Sequence, residues 1–168
     1  MTRANASSQG DELKVEIVDR FRQKYPVDVY GMAEALGLKV FSAILPEDVS
    51  GKIEDRGPAG CVVTVNALHS PVRQRFTVAH EIAHFVLHRD LIGDGIIDNA
   101  LYRDGRIGDE RERQANRYAA ALLMPMPLVR RAWQAGSYTP GELAADFGVS
   151  EAVAEIRMRE LGCVLWPR

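Results

Sequence analysis

Two histidines and a glutamate in the run His80-Glu81-Ile82-Ala83-His84 have the types and spacing of half a metal-hydrolase active site. On an α-helix, side chains four apart share one face and stack about 6 Å along the axis, so both imidazoles can reach one ion. Glu81 projects beside them, where it can take a proton from a water that the ion acidifies. The HExxH pattern thus supplies two nitrogen ligands and a neighbouring general base, and leaves a third ligand to come from elsewhere. The plain alternative is a helix with two satisfied histidines and a surface glutamate.

The extended pattern HExxHxxGxxH would require Gly at the position of Leu87 and His at the position of Asp90, and the chain has neither. Without that Gly the helix has no evident reason to turn Asp90 back towards the ion. His88 shares the face of His84 but lies about 12 Å along the axis from His80, too far for the same ion, which suits a supporting or structural role. A second helix is expected from Asp109 until Pro125 ends it. On it Glu112, Ala115, Ala119, Leu122 and Leu123 fall on one side, so Glu112 lies in line with an apolar face, where a carboxylate wants a cation. Asn116, one turn on, could hydrogen-bond a ligand histidine and fix its ring. Glu110 is the rival ligand, and an exposed Glu112 paired with arginines such as Arg113 is the plain alternative.

Ser70-Pro71 starts the His-bearing helix, Ser as N-cap and Pro at the first helical position. No Gly or Pro follows until beyond His88, and Phe76, Ala79, Ala83 and Leu87 form the expected core stripe. Immediately upstream, Cys61 to Asn66 is the clearest strand; Leu38 to Ile44 and Gly51 to Ile53 read as others. Met1 to Gly10 is small and polar and reads as a flexible tail. Leu13, Ile17, Val18 and Phe21 give a helical face ahead of Pro26, and Asp28 caps a short helix stopped by Gly37. Asp90 to Gly108 reads as a connecting hairpin or a lid, around a short strand from Ile96 to Tyr102.

Near the C-terminus, Thr139-Pro140-Gly141-Glu142 is a capping box, Phe147 to Ser150 a tight turn, and Ser150 caps a helix running to Leu161. Two helices so joined resemble a helix-turn-helix. Yet three arginines face five acids from Thr139 to Arg168, a net charge of -2, so phosphate neutralisation is not provided and packing or protein docking is expected instead of DNA contact. The whole chain, with 168 residues and a net charge of -2, has room for one core and no general attraction to nucleic acid or membrane. Two distant cysteines, Cys61 and Cys163, suit a reducing cytoplasm, and no apolar run has the length of a membrane span or the form of a signal peptide.

The run Arg75-Phe76-Thr77-Val78-Ala79-His80-Glu81-Ile82-Ala83-His84, with Glu112 to Asn116 and Ala120-Ala121-Leu122-Leu123-Met124-Pro125, resembles the ImmA/IrrE metallo-endopeptidases from about Pro26 to the C-terminus. The chain departs from many relatives at Gln114, where they carry Glu, and at Tyr118, where they carry Phe. The resemblance implies an α+β, zincin-like fold with a small mixed sheet. The chain is expected to divide into a tail over 1–10, a peptidase domain over 11–134 and the helix-turn-helix-like segment over 135–168 packed on the same core. The resemblance also implies His80, His84 and Glu112 as ligands of one divalent metal, Zn2+ or, with the same donor set, Mn2+ or Fe2+. Glu81 becomes the catalytic base, Asn116 and His88 supporting groups, and Tyr118, Tyr102, His88 and His69 the candidates to stabilise the oxyanion. In such folds a strand beside the cleft pairs with extended substrate, which gives that role here to Val62, Val63, Thr64 and Val65. The implied substrate is a helix-turn-helix repressor. The alternative is a metallo-fold that docks on a transcription factor with little or no cleavage.

Overall fold

Three strands ahead of the His-bearing helix and one after it form one mixed sheet in the computed structural model, which describes residues 3–93, 95–99, 110–136 and 139–163. Its strands are β1 (Lys39–Ala43), β2 (Val49–Asp55), β3 (Cys61–Asn66) and β4 (Ile96–Asn99), in the order β1-β3-β2-β4. β3 runs parallel to β1, with Val63 opposite Val40, and antiparallel to β2, with Val63 opposite Ile53. β2 in turn pairs antiparallel with β4. Among the described residues seven α-helices complete an α+β fold: α1 (Arg3–Phe21), α2 (Val29–Ala35), α3 (Pro71–Leu87), α4 (Glu110–Leu123), α5 (Met126–Ala135), α6 (Pro140–Phe147) and α7 (Glu151–Glu160).

The topology corrects one expectation. Val62, Val63, Thr64 and Val65 sit in an interior strand whose backbone is already bonded on both sides, so they have no free edge to offer an extended peptide. Among the described residues the edge strands are β1 and β4. Every residue of β3 is buried, which fits its Val-rich, β-branched sequence and explains why it stood out as a strand. The short strand expected from Ile96 to Tyr102 is β4 as far as Asn99; the rest of it lies outside the described residues, as does most of the connection to α4.

Caps stand where local chemistry put them. Asp28 accepts from the Gly31 amide ahead of α2, Ser70 caps α3, and Thr139 with Glu142 makes a reciprocal capping box on α6. Gly148, at φ +62°, takes the left-handed turn between α6 and α7, and Ser150 caps α7. At the other end the helix reaches back to Arg3, into the stretch read as a tail; Ala4, Ala6 and Gln9 favour a helix and no proline intervenes before Pro26. α5 has no counterpart in the sequence reading, because Pro125 was taken only as a stop. It also serves as the next helix's N-cap position, and Leu128, Val129 and Ala132 bury the new helix's inner face.

One core joins these parts: Ile53 and Val63 from the sheet, Val78 and Ile82 from α3, Leu122 and Leu123 from α4, and Leu143, Phe147 and Met158 from α6 and α7. The buried face of α3 is thus centred on Val78, Ala79 and Ile82, and Leu87, expected in the stripe, is 43% exposed at the helix end. Two arginines fasten the last helices to this core through backbone carbonyls. Arg75 on α3 donates to Gly148 O (3.1 Å) and Val27 O (2.9 Å), and Arg157 on α7 donates to Met124 O (3.0 Å), just past α4.

Candidate metal centre

α3 and α4 pack side by side, and their polar positions meet. Helical spacing stacks His80, His84 and His88 on one face of α3, while on α4 the first turn delivers Glu112 to the same place. His80 Nε2 lies 3.0 Å from His84 Nε2, and Glu112 reaches both, with Oε2 3.2 Å from His80 Nε2 and Oε1 3.3 Å from His84 Nε2. All three side chains are buried. Among the described residues this is the trio of side chains able to hold a metal ion.

The spacing fits a metal. Ligand bonds of about 2.0–2.1 Å in a tetrahedron set the donor atoms about 3.3–3.4 Å apart, close to the three separations found. The donor chemistry agrees. Burial favours the uncharged ring of His84, lowering its pKa against the opposing pull of Glu112. Burial alone would raise the Glu112 pKa, but hydrogen bonds and charge from His80 and His84 outweigh it and hold the carboxylate well below its usual range. Two imidazoles and one carboxylate, turned inward on each other, are a donor set that suits a divalent cation.

The rings are held from behind. His80 Nδ1 is 3.0 Å from Asn116 Oδ1, one turn along α4 from Glu112. His84 Nδ1 is 3.1 Å from His88 Nδ1, and His88 Nε2 is 3.2 Å from Gln114 Oε1. Asn116 and His88 therefore contact the rings of His80 and His84 from behind. Gln114 was visible only as a departure from a family pattern, and the register of α3 against α4, which brings it to His88, cannot be read from either helix alone.

Glu81 is fully buried where α3 meets β2. A Cβ on Gly51 would come 2.5 Å from Thr77 Cγ2, 2.8 Å from Thr64 O and 3.5 Å from Glu81 Oε1, so only glycine lets β2 lie this close above the glutamate. The sequence marked Gly51 merely as the start of a strand. Glu110, two residues from Glu112 and so well round the helix, is exposed and pairs with Arg113 at 2.8 Å.

The remaining candidates are not gathered here. Tyr118 lies against α1, near enough to Arg22 and Asp19 to feel their charge, and burial raises its hydroxyl pKa. Two positions from Asn116, it points about 200° round the helix. His69 sits in the turn ahead of α3, about 16 Å before His80 along the axis. Tyr102 lies outside the described residues. On its outer side Asn116 also borders a groove of about 690 Å³ between α3, α4 and α7, floored by Phe76, Ala120 and Val153, with Arg73 and Arg117 in its lining.

The chain is similar to known proteins. The family model Peptidase_M78, IrrE N-terminal-like domain, matches residues 33–159. The radiation response metalloprotease IrrE of Deinococcus radiodurans is 42% identical over 105 residues, 61% of this chain and 28% of that protein. Its counterpart in Deinococcus deserti is 42% identical over 75 residues, 43% of this chain and 25% of that protein. The chain thus spans little more than a quarter of the length of these relatives. A solved structure of a Mycobacterium tuberculosis transcriptional regulator shares the fold, with a TM-score of 0.59 at 22% identity over 94% of this chain and 48% of that one. Among the described residues no helix is long and apolar enough to cross a membrane.

Proposed function

We propose, because this chain belongs to the Peptidase_M78 family of IrrE N-terminal-like domains, that it is a metal-dependent endopeptidase of the HExxH, zincin-like type. The observation that carries the reading is the convergence of His80, His84 and Glu112 at 3.0–3.3 Å from two separate helices. These three residues would hold one divalent ion, Zn2+ in the first instance, with Mn2+ and Fe2+ served by the same donors. When bound, the ion supplies a Lewis acid that polarises a peptide carbonyl and lowers the pKa of water.

The chain's own residues do the rest. Glu81, adjacent to His80 and shielded from solvent, takes the proton from the attacking water and returns it to the departing amine. Asn116 accepts from His80 Nδ1 and so keeps the Nε2 lone pair facing inward. An extended substrate would pair with a sheet edge, and among the described residues the edge strands are β1 and β4.

In this reading residues 11–134 are the catalytic unit. The segment over 135–168 is a helix-turn-helix-like pair packed on the same core, a role supported by the burial of Leu143, Phe147, Ala154 and Met158. The substrate is a helix-turn-helix repressor, met in the cytoplasm, where the free thiols of Cys61 and Cys163 are at home. The family resemblance and the regulator that shares the fold support that choice, and the acidic C-terminal segment supports a protein over a nucleic-acid partner.

The test is incubation of the zinc-loaded chain with repressors encoded beside its gene, comparing wild type with Glu81→Gln by mass spectrometry of the products. Cleavage at one site that disappears in the variant is the expected result. Complex formation without cleavage in either would overturn the enzyme and leave a docking protein.

A further inference from the structure

Behind the trio runs a chain of contacts with a direction. His84 Nε2 faces His80 and Glu112, and its Nδ1 lies 3.1 Å from His88 Nδ1. The opposite nitrogen of His88, Nε2, lies 3.2 Å from Gln114 Oε1, and Gln114 Nε2 donates to Glu110 Oε1 at 3.4 Å. Glu110 is itself held by Arg113, at 3.0 Å from Nε and 2.8 Å from Nη2. The series begins at a fully buried ring and ends at the surface, since His84 is 1% and His88 7% exposed while Gln114 and Glu110 face solvent.

One arrangement of hydrogens satisfies every link when His84 turns its Nε2 lone pair to a cation. The neutral His84 ring then carries its hydrogen on Nδ1 and donates it to His88 Nδ1. His88, accepting there, carries its own hydrogen on Nε2 and donates to Gln114 Oε1. The Gln114 amide can present that oxygen because its other end gives an N–H to the Glu110 carboxylate. Reversed, it would set N–H against N–H at His88 and oxygen against oxygen at Glu110. Both nitrogens of His88 are thereby committed, which removes it as a donor to an oxyanion.

We propose that Gln114 is a positioning residue: acting through His88, it fixes His84 in the tautomer that a divalent cation requires. This rests on the reading of His80, His84 and Glu112 as ligands. It adds a residue that touches neither ion nor substrate and that sets the site's affinity from outside.

The test measures zinc affinity of the full chain by competition with a chromogenic chelator, and reads the His88 tautomer from 15N imidazole shifts of the zinc-loaded protein. His88→Phe is expected to weaken zinc about 10–100-fold, and Gln114→Leu about tenfold, at the low end of what groups behind a ligand contribute. Gln114→Glu, which keeps an acceptor for His88 but sets a second carboxylate against Glu110, weakens zinc less than Gln114→Leu does. The wild-type spectrum shows His88 with hydrogen on Nε2, and Gln114→Leu shows a mixture. Because Gln114 is exposed, thermal unfolding of the metal-free Gln114→Leu chain stays at the wild-type temperature. Full zinc affinity and an unchanged His88 spectrum in Gln114→Leu overturn this inference alone. A wild-type chain that holds no zinc overturns the ligand reading and this inference with it.

Discussion

Two pairs of helices in this molecule solve the same packing problem with opposite chemistry. α3 and α4 meet through His80, His84, His88 and Glu112, all buried. α6 and α7 meet through Leu143, Phe147, Ala154 and Met158, and none of the protein's buried polar or charged residues lies between 139 and 163. Hydrocarbon contact holds helices together without further help, whereas buried imidazoles and carboxylates cost free energy unless something compensates them. The first pair is therefore built for a ligand and the second for the fold.

The sharpest way to separate them is to change one residue in each. Glu81→Gln should lower the rate of peptide hydrolysis about 10²–10⁴-fold, with zinc still bound and the circular dichroism spectrum unchanged. Phe147→Ala, in the other pair, should cost about 3–5 kcal/mol in urea unfolding. If Glu81→Gln unfolded the chain as Phe147→Ala does, the contrast would vanish. Next in size, Glu112→Ala should weaken zinc binding more than about 100-fold, beyond the usual effect of groups behind a ligand, and Glu110→Ala should weaken it less. Equal retention of zinc by the two would show that the wrong glutamate has been assigned.

Acidity distinguishes the pairs as well. Burial holds the folded pKa of His84 below that of the unfolded chain, so the unfolded state binds the extra proton once pH falls below about 6.5. Stability is full above that point and is lost below it, by at most about 1.4 kcal/mol per pH unit for this one group. Glu112, its folded pKa also lowered, adds a further loss below about pH 4.3. Urea midpoints of the metal-free chain at pH 7.5 and 5.5 would show the first step, and a flat profile would contradict a neutral, buried His84. The smallest effect belongs to the capping box: Thr139→Ala should cost about 1 kcal/mol, visible in thermal unfolding and absent from zinc affinity.

Much of this was legible in the sequence because it is local. Ser70-Pro71, Asp28, Thr139 with Glu142, and Ser150 each announce a helix start through bonds made within three residues. The spacing of His80 and His84, and the apolar company of Glu112 on α4, are properties of single helices. What stayed hidden depends on how elements meet. The interior place of β3 follows from strand order, which no one strand encodes, so Val62 to Val65 looked available to a substrate and are not. The contact of Gln114 with His88 depends on the sliding register of two helices, which brings together residues 26 apart in the chain. Gly51 matters only because β2 comes down on Thr77 and Glu81. α5 was missed because a proline that ends one helix also begins the next.

The arginines that bind backbone carbonyls across the molecule carry a last implication. Arg75 stands five positions ahead of His80 on the same rod, and Arg157 bolts down the residue that follows the rod bearing Glu112. A chain cut after Gly136 would leave the Met124 carbonyl and one arm of Arg75 facing solvent, and would strip Leu143 and Phe147 from their seats. The helices over 140–160 are thus no detachable ornament but the brace against which both arms of the vice are tightened.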